Sequence, residues 1–217
     1  MIYFYCEQAT KHNDKIMAYI RMKERRLFTS PKDVMGPKRI AVENQRGDED
    51  CAESVVLALF LTFGIRGDYD QIYRDLGTTK DGTPDTDKII KVLRGKGLSV
   101  REHPKADIPA IKRVLQRKHF CLVEYQAPDT DYRPEFLREK ESEWGAGKSI
   151  KHGHYSVVFG FDDDGDGEKF FLMDPLIQYR ETRYGRGIRS IPVGVFEKRW
   201  TTGKRKNFGW MLEVTKK

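Results

Sequence analysis

The longest apolar stretch of the chain, Cys51 to Phe63, is interrupted only by Glu53, Ser54 and Thr62. A surface helix would show one polar face, so this pattern predicts a helix enclosed on nearly every side, ended by Gly64. Upstream, Ile16, Ile20, Met22 and Leu27 fall at helical intervals within 12–28, before Pro31 and Pro37 break the pattern. Further helices are expected over 68–76, 85–96 and 108–118, with a short strand at 99–102 between the last two. From His119 the spacing becomes that of strands: 119–125, 153–162, 168–174, 188–195 and 207–215, with a polar loop over 127–150. Helices first and antiparallel strands afterwards predict an α+β fold of two lobes. Residues 1–39 read as an N-terminal extension with a short basic helix, and 40–217 as the domain proper.

The chain has 217 residues, enough for a substantial core, and contains no run of about eighteen apolar residues that would span a membrane. Its apolar first residues lack the basic start and the length of a signal peptide. Cys6, Cys51 and Cys121 are odd in number and far apart, a usage that fits a reducing compartment better than a disulfide framework. A soluble cytoplasmic protein is the expectation. The net charge of +7 raises the question of nucleic acid. Residues 1–44 hold 9 Lys/Arg against 5 Asp/Glu, 198–217 hold 7 against 1, and 45–197 hold 24 against 27. The positive charge is therefore terminal and accompanies no nucleic-acid-binding motif, which argues against such a partner.

The chemistry lies in the slightly acidic middle. Cys51 opens the enclosed helix, and a helix N-terminus favours a thiolate over a thiol through its partial positive charge and free N–H groups. Gln45 supplies an amide donor six positions upstream. The candidate base is His154, at the head of the strand His154-Tyr-Ser-Val-Val-Phe-Gly-Phe161, with His152 as the alternative. That strand leads through Asp162-Asp-Asp-Gly-Asp-Gly167 into Lys169-Phe-Phe-Leu-Met-Asp174, and Pro175 ends the pairing. A hairpin centred on Asp164 would set His154 directly opposite Asp174, where facing Cβ atoms lie roughly 4.5–5.5 Å apart. A carboxylate there would hold the imidazole in one tautomer. Asp162, Asp164 and Asp166 also match the first half of a calcium loop. Met173 stands where that loop needs a bidentate Glu, so a hairpin turn is the simpler reading and no cofactor or metal is expected.

With these residues the chain resembles the bacteriocin-processing endopeptidases, papain-like cysteine peptidases that cleave leader peptides after a double glycine. The resemblance rests on QRGDEDCAESVVLALFLTFG, HYSVVFGF and MDP, with looser matches at Asp81-Gly-Thr-Pro84 and its following helix, and at Val195-Phe-Glu-Lys-Arg-Trp200. It covers about 40–203. It implies a papain-like fold in which Cys51 is the nucleophile and His154 the general base and acid. Asp174 would orient His154, and Gln45 with the Cys51 N–H would form the oxyanion hole. Trp144 in the 127–150 loop, with Gly153 and Tyr155 beside the base, are the candidates for contact with a peptide or protein substrate. Two departures stand out. Ala52 replaces the Gly usual after the nucleophile, and these 217 residues include no membrane spans and no ATP-binding domain. The same thiol would serve an acyl transferase or isopeptidase, and a non-catalytic peptide-binding domain of this fold is the remaining alternative.

Overall fold

The computed structural model describes residues 27–46, 50–80, 85–126, 153–163, 167–176, 187–201 and 209–217. Residues 12–26 of the predicted N-terminal helix, the 127–150 loop with Trp144, and His152 lie outside them. So do Asp164 and Asp166 of the acidic turn.

The enclosed helix is α1 (Cys51–Thr62), and every residue from Cys51 to Phe60 is buried. It is followed by α2 (Tyr69–Leu76) and α3 (Thr86–Gly95). Helix α2 starts where the Asp68 side chain accepts from the Gln71 N–H and ends at Gly77, whose φ of 63° is a left-handed C-cap. Helix α3 starts in the same way, with Asp85 accepting from the Asp87 N–H. Strand β3 (Leu98–His103) leads to α4 (Ile108–Gln116), capped by Asp107. Then come β4 (Phe120–Gln126), β5 (Gly153–Asp163), β6 (Glu168–Met173) and β7 (Ile188–Pro192). Helix α5 (Val193–Thr201) and β8 (Met211–Lys216) complete the chain.

These strands form one antiparallel sheet in the order β3-β8-β4-β5-β6-β7. Alternation along the strands divides the core in two. Tyr155, Val157, Phe159, Phe171 and Met173 face α1, while Tyr125, Val158, Phe170 and Leu172 face α4 and α5. The architecture is the expected α+β one, with the buried helix beginning at Cys51 and the sheet supplied by the second half of the chain.

Three local readings change. Leu27 and Phe28, the end of the predicted N-terminal helix, belong to a strand, β1 (Leu27–Thr29), paired with β2 (Arg39–Ala41). The boundary drawn at residue 40 falls inside this small hairpin. Residues 193–195 are helix rather than strand, because Val193, Phe196 and Trp200 recur at helical spacing and bury one face against the sheet. The β5–β6 register also differs. Asp163 lies opposite Glu168, and β5 carries one extra residue, Phe159, between Val158↔Leu172 and Gly160↔Phe171. His154 and Asp174 are consequently not directly opposed. Continued past Val157↔Met173, the pairing sets Asp174 opposite Ser156, two residues from His154 on the same face.

Candidate active site

Cys51 stands at the first residue of α1, at the leading end of β5, where the Tyr155 backbone N–H donates to its Sγ at 3.5 Å. The segment before it is fixed by Asp50. Asp50 immediately precedes the helix, but its carboxylate makes no capping bond to it. Its Oδ2 accepts instead from the Arg46 N–H at 3.2 Å and from the buried Tyr69 hydroxyl at 2.5 Å. The Arg46 guanidinium lies 3.9 Å over the Tyr69 ring. Burial, and then the bond to Asp50, raise the Tyr69 pKa well above its ordinary value, so its hydroxyl remains a donor. Arg46 and Asp50, between Gln45 and Cys51, are thus held from inside. Gln45 is itself buried, and its backbone N–H donates to the Pro175 carbonyl at 3.3 Å. One hydrogen bond therefore links the segment before Cys51 to the segment after Asp174.

His154 is buried in β5, directly across from Tyr125 of β4. Its Nε2 lies 2.7 Å from Asp174 Oδ1. An ionised carboxylate only accepts, so Nε2 carries a proton and Nδ1 is the nitrogen left for the thiol. Asp174 is fully buried just beyond β6. Pro175 turns the chain immediately after it, which brings the Leu176 N–H back to Oδ1 at 3.0 Å. Oδ2 accepts from the Tyr125 hydroxyl at 2.8 Å and pairs with Arg189 Nε at 3.1 Å.

The electrostatics follow from these contacts. Burial by itself would lower the pKa of His154. The charge and hydrogen bond of Asp174, then the hydrogen bond and charge of Cys51, overcome it and push the imidazole up to about 10. Burial would likewise raise Asp174. Arg189, then His154, and the hydrogen bonds from His154 and Tyr125 hold its carboxyl well below the usual range. The arrangement favours an imidazolium between a carboxylate and a sulfur, the charge pattern of a thiol prepared for nucleophilic attack.

The structure therefore brings Cys51, His154 and Asp174 together and sets Gln45 one hydrogen bond from the Asp174-Pro175 turn. Gly153 pairs with Gln126 at the start of β5. The Tyr155 ring turns into the core edge-on to Trp210, with centroids 6.1 Å apart, so that residue meets the site through its backbone. Asp162 pairs with Lys169 near the end of β5, and no group of three or more His, Cys, Asp or Glu suited to a metal exists among the described residues. Tyr125 and Arg189 were not singled out from the sequence. Arg189 is one of several arginines between 180 and 189 and carries no local signal of its own.

No protein-family model and no curated protein sequence matches the chain. Its fold does match solved structures. A double-glycine motif protease from an AMS/PCAT transporter, solved in complex with its leader peptide, is similar at a TM-score of 0.55 and 15% identity, over 89% of this chain and 100% of that one. The peptidase domain of Streptococcus ComA, a bifunctional ABC transporter of a quorum-sensing pathway, gives 0.54 and 14%, over 81% and 98%. Xylellain, a cysteine protease from Xylella fastidiosa, gives 0.52 and 10%, over 90% and 88%. The fold is that of the papain-like cysteine peptidases, in the form shared by the double-glycine leader peptidases. No helix among the described residues is long and apolar enough to cross a membrane.

Proposed function

We propose that this protein is a cysteine peptidase that hydrolyses peptide bonds with Cys51, His154, Asp174 and Gln45. The observation that carries the reading is the contact of His154 with both Asp174, at 2.7 Å, and the thiol that opens a buried helix. In this mechanism the Cys51 sulfur attacks the scissile carbonyl carbon. The oxygen that becomes negative is held by the Gln45 side chain and the Cys51 N–H. His154 gives its proton to the departing amine, which leaves a thioester. His154 then takes a proton from water, whose oxygen attacks the thioester, and the acid product and the thiolate are released. Asp174 keeps the ring oriented and stabilises its charged form throughout.

A preference for small residues before the cut, Gly-Gly or Gly-Ala, is part of the proposal. It draws on the sequence motifs and on the fold shared with the double-glycine motif protease. Ala52, next to the nucleophile, is fully buried in the core on the α1 side of the sheet.

Mass spectrometry of a peptide library digested by the wild type and by Cys51→Ala tests the reading. Cleavage confined to the wild type, clustered after small residues, with unchanged circular dichroism in the variant, is the expected result. Equal cleavage by Cys51→Ala would reject the mechanism.

A further inference from the structure

Asp174 has more partners than the orientation of one imidazole requires. His154 and the Leu176 N–H occupy Oδ1, and the Tyr125 hydroxyl and Arg189 Nε occupy Oδ2, so the carboxylate accepts from four donors. Arg189 is 6% exposed, and its Nη1 also approaches the Tyr125 hydroxyl at 3.5 Å. A guanidinium is costly to bury unless it is paired, and this one is paired with Asp174. The described titratable groups facing the His154–Asp174 pair are Cys51 from α1, Tyr125 from β4 and Arg189 from β7. In the thiolate–imidazolium pair of the proposed mechanism, the charges of Cys51, His154, Asp174 and Arg189 balance to zero. Without Arg189 the same buried site would be left with a net negative charge.

We propose that Arg189, braced by Tyr125, is a positioning residue that sets the proton affinity of His154 by taking up part of the charge of Asp174. This rests on the peptidase reading of the same site and adds a requirement to it. An imidazole gripped by an unshared buried carboxylate would hold its proton too tightly to give it to a leaving amine. Arg189 weakens that grip and, with Tyr125, keeps the carboxylate aimed at Nε2. Lysine at this position would restore the charge but not the two-point contact with Asp174 and Tyr125.

The test is an NMR titration of the His154 ring in the wild type, Arg189→Met, Arg189→Gln and Arg189→Lys, alongside the pH profile of kcat/KM on a cleaved peptide. In Arg189→Met the His154 titration should move upward by on the order of one pH unit, with the alkaline limb of the profile following it. Arg189→Lys should return the titration close to the wild-type position while kcat/KM stays about 10-fold low. Arg189→Gln keeps hydrogen-bond donors without the charge and serves where the Met variant does not fold. A merely structural arginine would change yield and melting but leave the titration in place. A folded Arg189→Met or Arg189→Gln protein whose His154 titrates as in the wild type overturns the proposal. The titration needs no turnover, so a wild type that cleaves nothing would reject the peptidase reading separately.

Discussion

At the scale of single residues, the proposed chemistry asks most of Gln45. Its amide would touch the substrate only as the carbonyl oxygen becomes charged, so Gln45→Ala should lower kcat about 100- to 1,000-fold with little change in KM. Stopped-time assays over a substrate series measure both constants. A KM effect with kcat intact would move Gln45 from oxyanion stabilisation to ground-state binding. Gln45, Cys51, His154 and Asp174 could be named from the chain because each carries a local mark. Cys51 opens an apolar run, Asp174 precedes a Pro, and His154 heads a hairpin strand. Tyr125 and Arg189 carry no such mark. Their side chains meet Asp174 only because β4, β5, β6 and β7 lie side by side, and which side chains share a face depends on pairings that spacing alone does not reveal. Asp50 directly precedes the predicted helix, yet its carboxylate is engaged by the Arg46 N–H and by Tyr69, a partner that meets it only once α2 packs on α1.

At the scale of elements, the meeting of His154 with Asp174 depends on a single extra residue. Nearer the turn, Gly160 pairs with Phe171 and Asp162 with Lys169. Carried unbroken to the start of β5, that register would set Asp174 opposite Val157 and turn its side chain away from the face of His154. The bulge at Phe159 shifts the count by one and returns both to the same face, a diagonal apart and within reach of each other. The hairpin was legible from its Asp/Gly turn; the bulge had a signal only in Gly160, since an isolated Gly inside a strand often marks one. What holds the bulge lies far back in the chain. Met35 exchanges both backbone hydrogen bonds with Phe161, at 2.8 and 2.9 Å. Gly36, at a φ of 142°, lies so close that a Cβ would sit 2.2 Å from the Phe159 carbonyl oxygen. Gly36→Ala must therefore move backbone and should cost about 2–4 kcal/mol. Gly95→Ala in α3, where a Cβ would meet nothing within 4 Å, should stay within about 1 kcal/mol of the wild type. Urea midpoints measure both. If the bulge sets the face of His154, folded Gly36→Ala should also lose kcat/KM although residue 36 lies outside the proposed catalytic machinery. Full activity in that variant would show that the 30–38 loop is only a buttress.

For the whole molecule, the sheet was legible in its strands but not in their order. The last strand, β8, inserts between β3 and β4, a choice made by long-range packing rather than by any local signal. Its insertion creates a second buried carboxylate network, because Glu213 of β8 accepts from Arg117 at 2.8 Å, His119 at 2.6 Å and His103 at 3.1 Å. Burial would raise Glu213, but the hydrogen bonds from Arg117, His119 and His103 outweigh it and bring the carboxyl down to about 2. The two networks bound stability from opposite sides of the pH scale. Asp174 and Glu213 titrate lower in the folded chain than in the unfolded one. Their contribution is therefore complete above about pH 4.5 and lost as pH falls toward 2 and below. His154 titrates higher when folded. Its contribution is complete below about pH 6.5 and drains away as pH rises toward about 10. Urea midpoints taken from pH 3 to 10 should accordingly peak between about 4.5 and 6.5 and decline on both flanks. His154→Gln should flatten the alkaline flank and, because His154 also helps hold Asp174 low, weaken the acid one in part, whereas Glu213→Gln should weaken the acid flank and leave the alkaline one. A wild-type midpoint that holds level from pH 6 to 9 would mean that His154 is not kept charged in the folded chain. The imidazolium on which the proposed proton transfer depends would then be missing as well.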